Sequence, residues 1–240
     1  MKGGIEVPNL TDIDMIVFDV DGTLMDRSGM PEGLVGLVKE IEKNGVSVSL
    51  ASGRTLPNLT PIHQALGLTG FIVAENGGIL WDGPRKRGIE PMANGERCRD
   101  AIEWLAGKMV EIDPAGIESN RWRETEWCVS GPYDVDRMRA LLADSEWSDL
   151  RVVGTGFAIH VTERDVNKRS ALEIQLSRRG IDPSRVLSCG DALNDVSMFN
   201  LTGYSVAVDG TIAEVFDAAG SVTQKKGPLG VIEMLELLLR

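Results

Sequence analysis

The 240-residue chain has no apolar run of the ~18 residues that a membrane-spanning helix needs, so no membrane partner is expected. Its first residues, MKGGIEVPNLTDID, are polar and broken by glycine and proline. They lack the apolar stretch of a signal peptide, which points to a cytoplasmic protein. Positive charge is scarce: 25 Lys and Arg face 36 Asp and Glu, a formal net charge of −11. A nucleic-acid partner, whose backbone must be neutralised by a basic surface, is therefore not expected. An anionic small molecule remains compatible if positive charge is concentrated at one site. The three cysteines, Cys98, Cys128 and Cys189, are widely spaced with no C-x-x-C pair, so neither a disulfide framework nor a zinc site is indicated. Internal repeats and low-complexity segments are absent as well. What remains, 42% hydrophobic and 25% charged residues, is the composition of an ordinary globular chain. Its length allows one sizeable core and a second, smaller one.

The chain is organised around Met15-Ile16-Val17-Phe18-Asp19-Val20-Asp21-Gly22-Thr23-Leu24. Residues 15–18 form an apolar run too short for a helix and suited to a strand buried on both faces. It ends on two carboxylates one residue apart, followed by a glycine able to turn the chain sharply. Two acids at the end of a buried strand repel each other and lose solvation, so a cation must compensate. Mg²⁺, which prefers a few carboxylates completed by water and phosphate oxygens, is the simplest candidate. Read alone, however, Asp19, Asp21 and Gly22 are also ordinary turn chemistry.

Helical spacing over 31–43, a strand over 46–50, a helix over about 57–66 and strands over 71–74 and 79–81 follow in order. This β-α-β-α-β pattern predicts an α/β fold, a Rossmann-like parallel sheet with right-handed crossovers and a ligand site at the carboxyl ends of its strands. Ser52-Gly53-Arg54 opens a helix after the second strand, where free amides make an anion site or simply an N-cap. From about residue 84 the rhythm changes. Helices over 97–109 and 135–142 and strands over 117–122, 126–129, 150–153 and 157–161, the last two paired around Gly154-Thr155-Gly156, predict a smaller inserted α+β domain. The expected division is 1–83 and 157–240 for the core and 84–156 for the insertion. Four of the five tryptophans (104, 122, 127 and 147) fall in the insertion and read as its core. Within it, Asn120-Arg121-Trp122-Arg123-Glu124 sets two guanidinium groups around a tryptophan; one of them could meet a substrate carboxylate, or both could be surface arginines. His160, on a predicted strand, and His63, in the second helix, read as structural.

A helix over 167–179 carries Lys168 at its start, where the helix dipole disfavours a cation, which hints at function. A strand over 185–189 then delivers Gly190-Asp191-Ala192-Leu193-Asn194-Asp195. A strand over 206–208 and helices over about 211–218 and 229–239 complete the chain.

The ordered set Asp-x-Asp-Gly-Thr, Ser-Gly-Arg, lysine at a helix start and Gly-Asp-x-x-Asn-Asp resembles the haloacid-dehalogenase superfamily of phosphohydrolases. The branch in question is the Cof-like one, whose α+β cap is inserted between the second and third motifs. Residues 120–124 and the loop Ala74-Glu75-Asn76-Gly77-Gly78 look like those of archaeal-type phosphoglycolate phosphatases. The resemblance implies Asp19 as nucleophile, giving an aspartyl phosphate, and Asp21 as general acid and then base. It implies Thr23, Ser52, Gly53, Lys168 and Asn194 on the phosphate, and Arg121 on the substrate's carboxylate. Asp191 and Asp195 would complete a Mg²⁺ site with Asp19 and Asp21. The implied reaction is Mg²⁺-dependent hydrolysis of a small phosphorylated acid, foremost 2-phosphoglycolate, with a sugar phosphate or phosphosugar acid as the alternative. A receiver domain shares acids around Mg²⁺ but needs about half this length. A phosphomutase cap would be rich in sugar-binding acids, and a non-hydrolysing binding protein would not keep both Asp19 and Asp21. Arg169 after Lys168, where many relatives have glycine, departs from the pattern. A monomer or a homodimer is compatible with the sequence.

Overall fold

The computed structural model describes residues 5–154 and 158–240. In chain order the first elements are β1 (Met15–Phe18), α1 (Leu34–Lys43), β2 (Ser47–Ala51), α2 (Leu56–Leu66), β3 (Ile72–Ala74), β4 (Ile79–Trp81) and β5 (Ile89–Pro91). There follow α3 (Gly95–Ala106), β6 (Trp127–Val129), α4 (Val135–Ala143), β7 (Leu150–Gly154) and β8 (Ile159–Glu163). The chain closes with α5 (Lys168–Arg179), β9 (Val186–Gly190), α6 (Val196–Phe199), β10 (Tyr204–Asp209), α7 (Ala213–Ala218), β11 (Ser221–Lys226) and α8 (Gly227–Leu238).

Eight strands form one sheet in the order β11-β10-β9-β1-β2-β3-β4-β5, parallel from β11 to β3 with β4 and β5 antiparallel at one edge. β1 is fully buried, as its apolar run requires, with one set of alternate side chains in each of two hydrophobic clusters: Ile16 and Phe18 in one, Met15 and Val17 in the other. From β1 the chain steps outward to β2 and β3 on one side and, after the insertion, from β9 to β10 and β11 on the other. The β1/β9 junction is therefore where strand order reverses, and the crevice beyond the carboxyl ends of these strands is where such sheets bind ligands. Registry Phe18↔Cys189 brings Asp19 and Gly190 level at that point.

β5 and β11 are absent from the expected elements. Both are edge strands whose polar or proline-containing sequences, Ile-Glu-Pro and Ser-Val-Thr-Gln-Lys-Lys, show no apolar run; β11 is buried over 221–223 and exposed over 224–226.

The second sheet has three antiparallel strands in the order β6-β8-β7, backed by α3 and α4 over an apolar cluster that includes Ile102, Leu105, Met138, Val152 and Val161. Trp104, Trp127 and Trp147 pack against this cluster, whereas Trp122 is exposed, so three of the four tryptophans belong to that core. β8 lies beyond residue 156, on the core side of the expected division, yet it pairs with both β6 and β7. Gly154 ends β7; the rest of the expected turn, Thr155-Gly156, and the start of the strand at Phe157 lie outside the described residues. The strand expected over 117–122 is instead a 3₁₀ turn, Glu118–Trp122. Asn120 is the reason. Its Nδ2 donates to Cys128 O at 2.7 Å and its Oδ1 accepts from Cys128 N at 3.2 Å, so one side chain occupies the edge of β6 that a further strand would have paired with.

Candidate active site

Asp19, Asp191 and Asp195 converge at the strand-order reversal, each offering a carboxylate oxygen within 4.8 Å of the others. Two close approaches make this possible. Gly22, at φ +84°, lets Asp191 pack where a Cβ would lie 2.3 Å from its Oδ2. Gly190 likewise leaves room for Asp195, whose Cγ would be 2.4 Å from a Cβ there. Asp195 Oδ2 accepts from the backbone amides of Asp191 (3.0 Å) and Ala192 (2.9 Å), and Thr23 Oγ1 donates to Asp191 Oδ1 at 2.8 Å.

Lys168 enters from the first residue of α5. Its Nζ donates to Asp19 Oδ1 at 2.7 Å and to Asp195 Oδ1 at 2.6 Å, and the whole side chain is buried. Burial works against its charge, but the two aspartates outweigh that and hold it above the ordinary lysine range. The dipole penalty of ~0.3–1 kcal/mol for a cation in the first turn is small beside these two charge-assisted bonds. Arg169 does not disturb the helix start: Asn167 caps it, accepting from Ser170 N at 3.1 Å, while Ser170 Oγ accepts from Asn167 N at 3.2 Å.

One ammonium does not balance three carboxylates. Burial, followed by the charges of Asp195 and Asp191, pushes Asp19 well above the usual carboxylate range despite Lys168. Burial and Asp195 push Asp191 up to about 6. An all-oxygen donor set with excess negative charge fits a hard divalent cation, which would relieve both shifts.

Asp21 points elsewhere. It is exposed and forms a bidentate pair with Arg54, whose Nε and Nη2 lie 2.8 Å and 2.6 Å from its two oxygens. Ser52 is buried, its Oγ accepting from Arg54 N at 3.3 Å, and Gly53 O accepts from Arg123 Nη1 at 3.1 Å. Asn194 Nδ2 donates to Asn76 Oδ1 at 2.9 Å.

A cavity of about 350 Å³ opens beside this cluster. Lys168, Asn194 and Asn76 line it from the large sheet's side; Arg151, His160 and Thr162 line it from the small sheet. Pairing of Arg151 with Thr162 and of Val153 with His160 sets these residues on one face, while Leu150, Val152, Ile159 and Val161 turn to the apolar cluster.

With this geometry in view, the relatives are informative. A family model described as haloacid dehalogenase-like hydrolase matches residues 16–121 and 131–235. The chain belongs to that family. Phosphoglycolate phosphatase of Haloarcula marismortui is 33% identical over 93% of this chain and 96% of its own length. The enzyme of the same name from Methanoculleus marisnigri is 31% identical over 92% and 94%. A crystal structure from Thermoplasma acidophilum superposes with a TM-score of 0.84, at 24% identity over 95% of this chain and 98% of the other, a likeness of fold.

In this haloacid dehalogenase-like hydrolase Arg121 is not brought to the cluster. It is exposed, its Nη2 3.6 Å from Glu118 Oε1 and its guanidinium 5.3 Å from the Trp122 ring, and it is not among the residues lining the cavity. The physical reason is the turn that Asn120 imposes, which leaves Arg121 and Trp122 facing outward. The rest of that segment docks the small sheet on the large one. Glu75 accepts from Thr125 N (2.9 Å), Thr125 Oγ1 (2.7 Å) and Glu124 N, and Arg123 is buried against Gly53 and Glu126.

A second buried group, Glu126, Cys128 and His160, also clusters closely enough to ligate an ion. Its acid is already matched. His160 Nδ1 lies 3.0 Å from Glu126 Oε2, Asn76 Nδ2 donates to the same oxygen at 3.1 Å, and Arg123 pairs with Oε1. Burial alone would raise Glu126, but His160 and Arg123 bring it down to about 2. His160, read from the sequence as structural, thus sits in this network and on the cavity wall together. His63 is buried, bonded to Gly70 O at 2.9 Å. Arg151 and Thr162 were not picked out from the sequence, and Asn76 only as part of the 74–78 loop. The alternation over 150–153 and 159–162, with polar residues at 151, 160 and 162, was the available signal.

Proposed function

We propose that this chain is a Mg²⁺-dependent phosphomonoester hydrolase acting through an aspartyl phosphate, with 2-phosphoglycolate as substrate. The observation that carries the reading is Lys168 held between Asp19 and Asp195, with Asp191 beside them, on the wall of a cavity. In this reading Asp19 attacks phosphorus, the ester P–O bond breaks, and Asp21 gives its proton to the leaving alkoxide. Water then attacks the aspartyl phosphate, losing its proton to Asp21, and phosphate leaves. Lys168 neutralises charge on the transferring group and fixes Asp19, while Thr23, Ser52, the Gly53 amide and Asn194 hold oxygens. Asp19, Asp191, Asp195 and the Asp21 carbonyl would hold Mg²⁺, which supplies charge screening between two anions when bound. Arg54 occupies both Asp21 oxygens, so this pair must open for the acid step.

The substrate assignment draws on the phosphoglycolate phosphatases about a third identical over nearly the full chain, and on a cavity at the small end of the usual range for ligand sites. We assign residues 1–91 and 164–240 to the core and 92–163 to the cap, since β5 pairs with β4 and β8 with β6 and β7. A sugar phosphate or phosphosugar acid is the second reading, favoured by the amides of Asn76, Asn194 and Asn200 on the cavity wall, which suit hydroxyl groups. Phosphate release from a panel of small phosphorylated acids and sugars, with and without Mg²⁺, tests both. The highest kcat/KM on a neutral sugar phosphate would overturn the first.

A further inference from the structure

The cavity beside the acid cluster is unusual in its charge. Arg151, Lys168 and Arg169 line it, and among the described residues no carboxylate does, in a chain whose net charge is −11. Lys168 is held by Asp19 and Asp195, and Arg169 by Glu173 Oε1 (2.9 Å) and Asn200 O (3.2 Å). Arg151 differs. Its guanidinium has five N–H donors; Nη2 donates to Val166 O, no carboxylate pairs with it, and its Nε is buried without a partner. Beside it, in direct strand register, Thr162 Oγ1 is also buried without a partner. Donors left unmet by protein, in two neighbouring residues of a cavity wall, gain partners when a small rotation turns them to a ligand's acceptors.

We propose that Arg151 and Thr162 form the subsite that reads the anionic end of the substrate, across the cavity from Lys168. The small sheet explains why these residues are there. The strand period of two sends Leu150, Val152, Ile159 and Val161 into its own core and leaves 151, 153, 160 and 162 to face the cavity. Registry then sets a planar donor fork next to a hydroxyl, a pairing suited to a carboxylate. His160, held by Glu126, anchors the neighbouring position on the same face. Arg121, exposed and paired with Glu118, has no part in this subsite.

This inference rests on the phosphatase reading, and its test separates the two. Steady-state kinetics with Mg²⁺ are measured for wild type, R151M, R151K and T162V on 2-phosphoglycolate, 3-phosphoglycerate and p-nitrophenyl phosphate, with thermal unfolding as a check of the fold. In R151M, kcat/KM for the phosphorylated acids should fall about tenfold further than for the aryl phosphate, mainly through KM, as expected for loss of a charge-assisted bond. R151K should recover part of that gap, and T162V should open a smaller one. Equal losses on acids and aryl phosphate, or none on either, would overturn the subsite. Wild type that turns over p-nitrophenyl phosphate and 3-phosphoglycerate but not phosphoglycolate would overturn the substrate assignment alone, leaving the subsite to be judged on 3-phosphoglycerate. Wild type inert on all three would remove both.

Discussion

Two clusters in this protein each combine carboxylate with a cation, and each has the spacing to hold a metal ion. They differ in balance. At the strand-order reversal three carboxylates face one ammonium, and burial with mutual repulsion raises Asp19 and Asp191. At the seam between the sheets one carboxylate meets Arg123, His160 and an Asn76 donor, and it is lowered to about 2. The first cluster is left wanting positive charge, as a site that must receive a cation and an anionic substrate should be. The second is compensated internally and ties Arg123 to Gly53 and Glu126 to Asn76, which makes it a clamp between the two sheets. Proximity of acids alone does not separate these cases; the direction of the pKa shift does.

The sharpest way to break this comparison is to delete an acid from each cluster. Asp19→Asn should lower phosphate release by a factor of about 10⁴ or more while the melting temperature holds or rises, since it removes a repulsive buried charge. Glu126→Gln should do the reverse in kind: it leaves Arg123 and His160 without their acid and should cost about 3–5 kcal/mol in thermal or urea unfolding. A stabilised E126Q, or a strongly destabilised D19N, would mean the two clusters have been assigned the wrong way round.

Metal should act on one cluster only. Chelation should abolish turnover reversibly, and Mg²⁺ should raise the melting temperature of wild type and E126Q by similar amounts, because Glu126 takes no part in binding. Asp191 sharpens this through pH. Without metal it binds a proton up to about pH 6, so the Mg²⁺ dissociation constant, followed by calorimetry, should rise by up to about tenfold for each pH unit below that point. The same raised value sets the stability of the metal-free fold: this group's contribution is fully present below the ordinary carboxylate pKa of 3.8 and is lost as pH rises through about 6. The smallest effect belongs to Arg121→Ala. An exposed pair with Glu118 should give a stability change within about 0.5 kcal/mol, and kcat/KM for phosphoglycolate should change by less than about twofold.

Much of the core was legible in the sequence. β1 announced itself as four apolar residues ending on Asp19, and the short runs before Ser52 and Asp191 placed those residues at strand ends in the same way. The cap was less legible. Asn120 looked like part of a strand because an amide that satisfies the backbone of Cys128 leaves no periodic trace, and it carried Arg121 out to solvent with it. Edge strands β5 and β11 were hidden because neither has an apolar run.

What the sequence determined by itself was local: buried strands from their apolar runs, sharp turns from glycine, and the order of acids and lysine along the chain. Only tertiary structure decided which charges meet. Lys168 reaches Asp19 across 149 residues of chain, and Arg54 meets the exposed Asp21. Arg151, not Arg121, faces the cavity. Local patterns set which face a side chain occupies, but electrostatic balance depends on distances between faces, and those exist only once the sheets have packed.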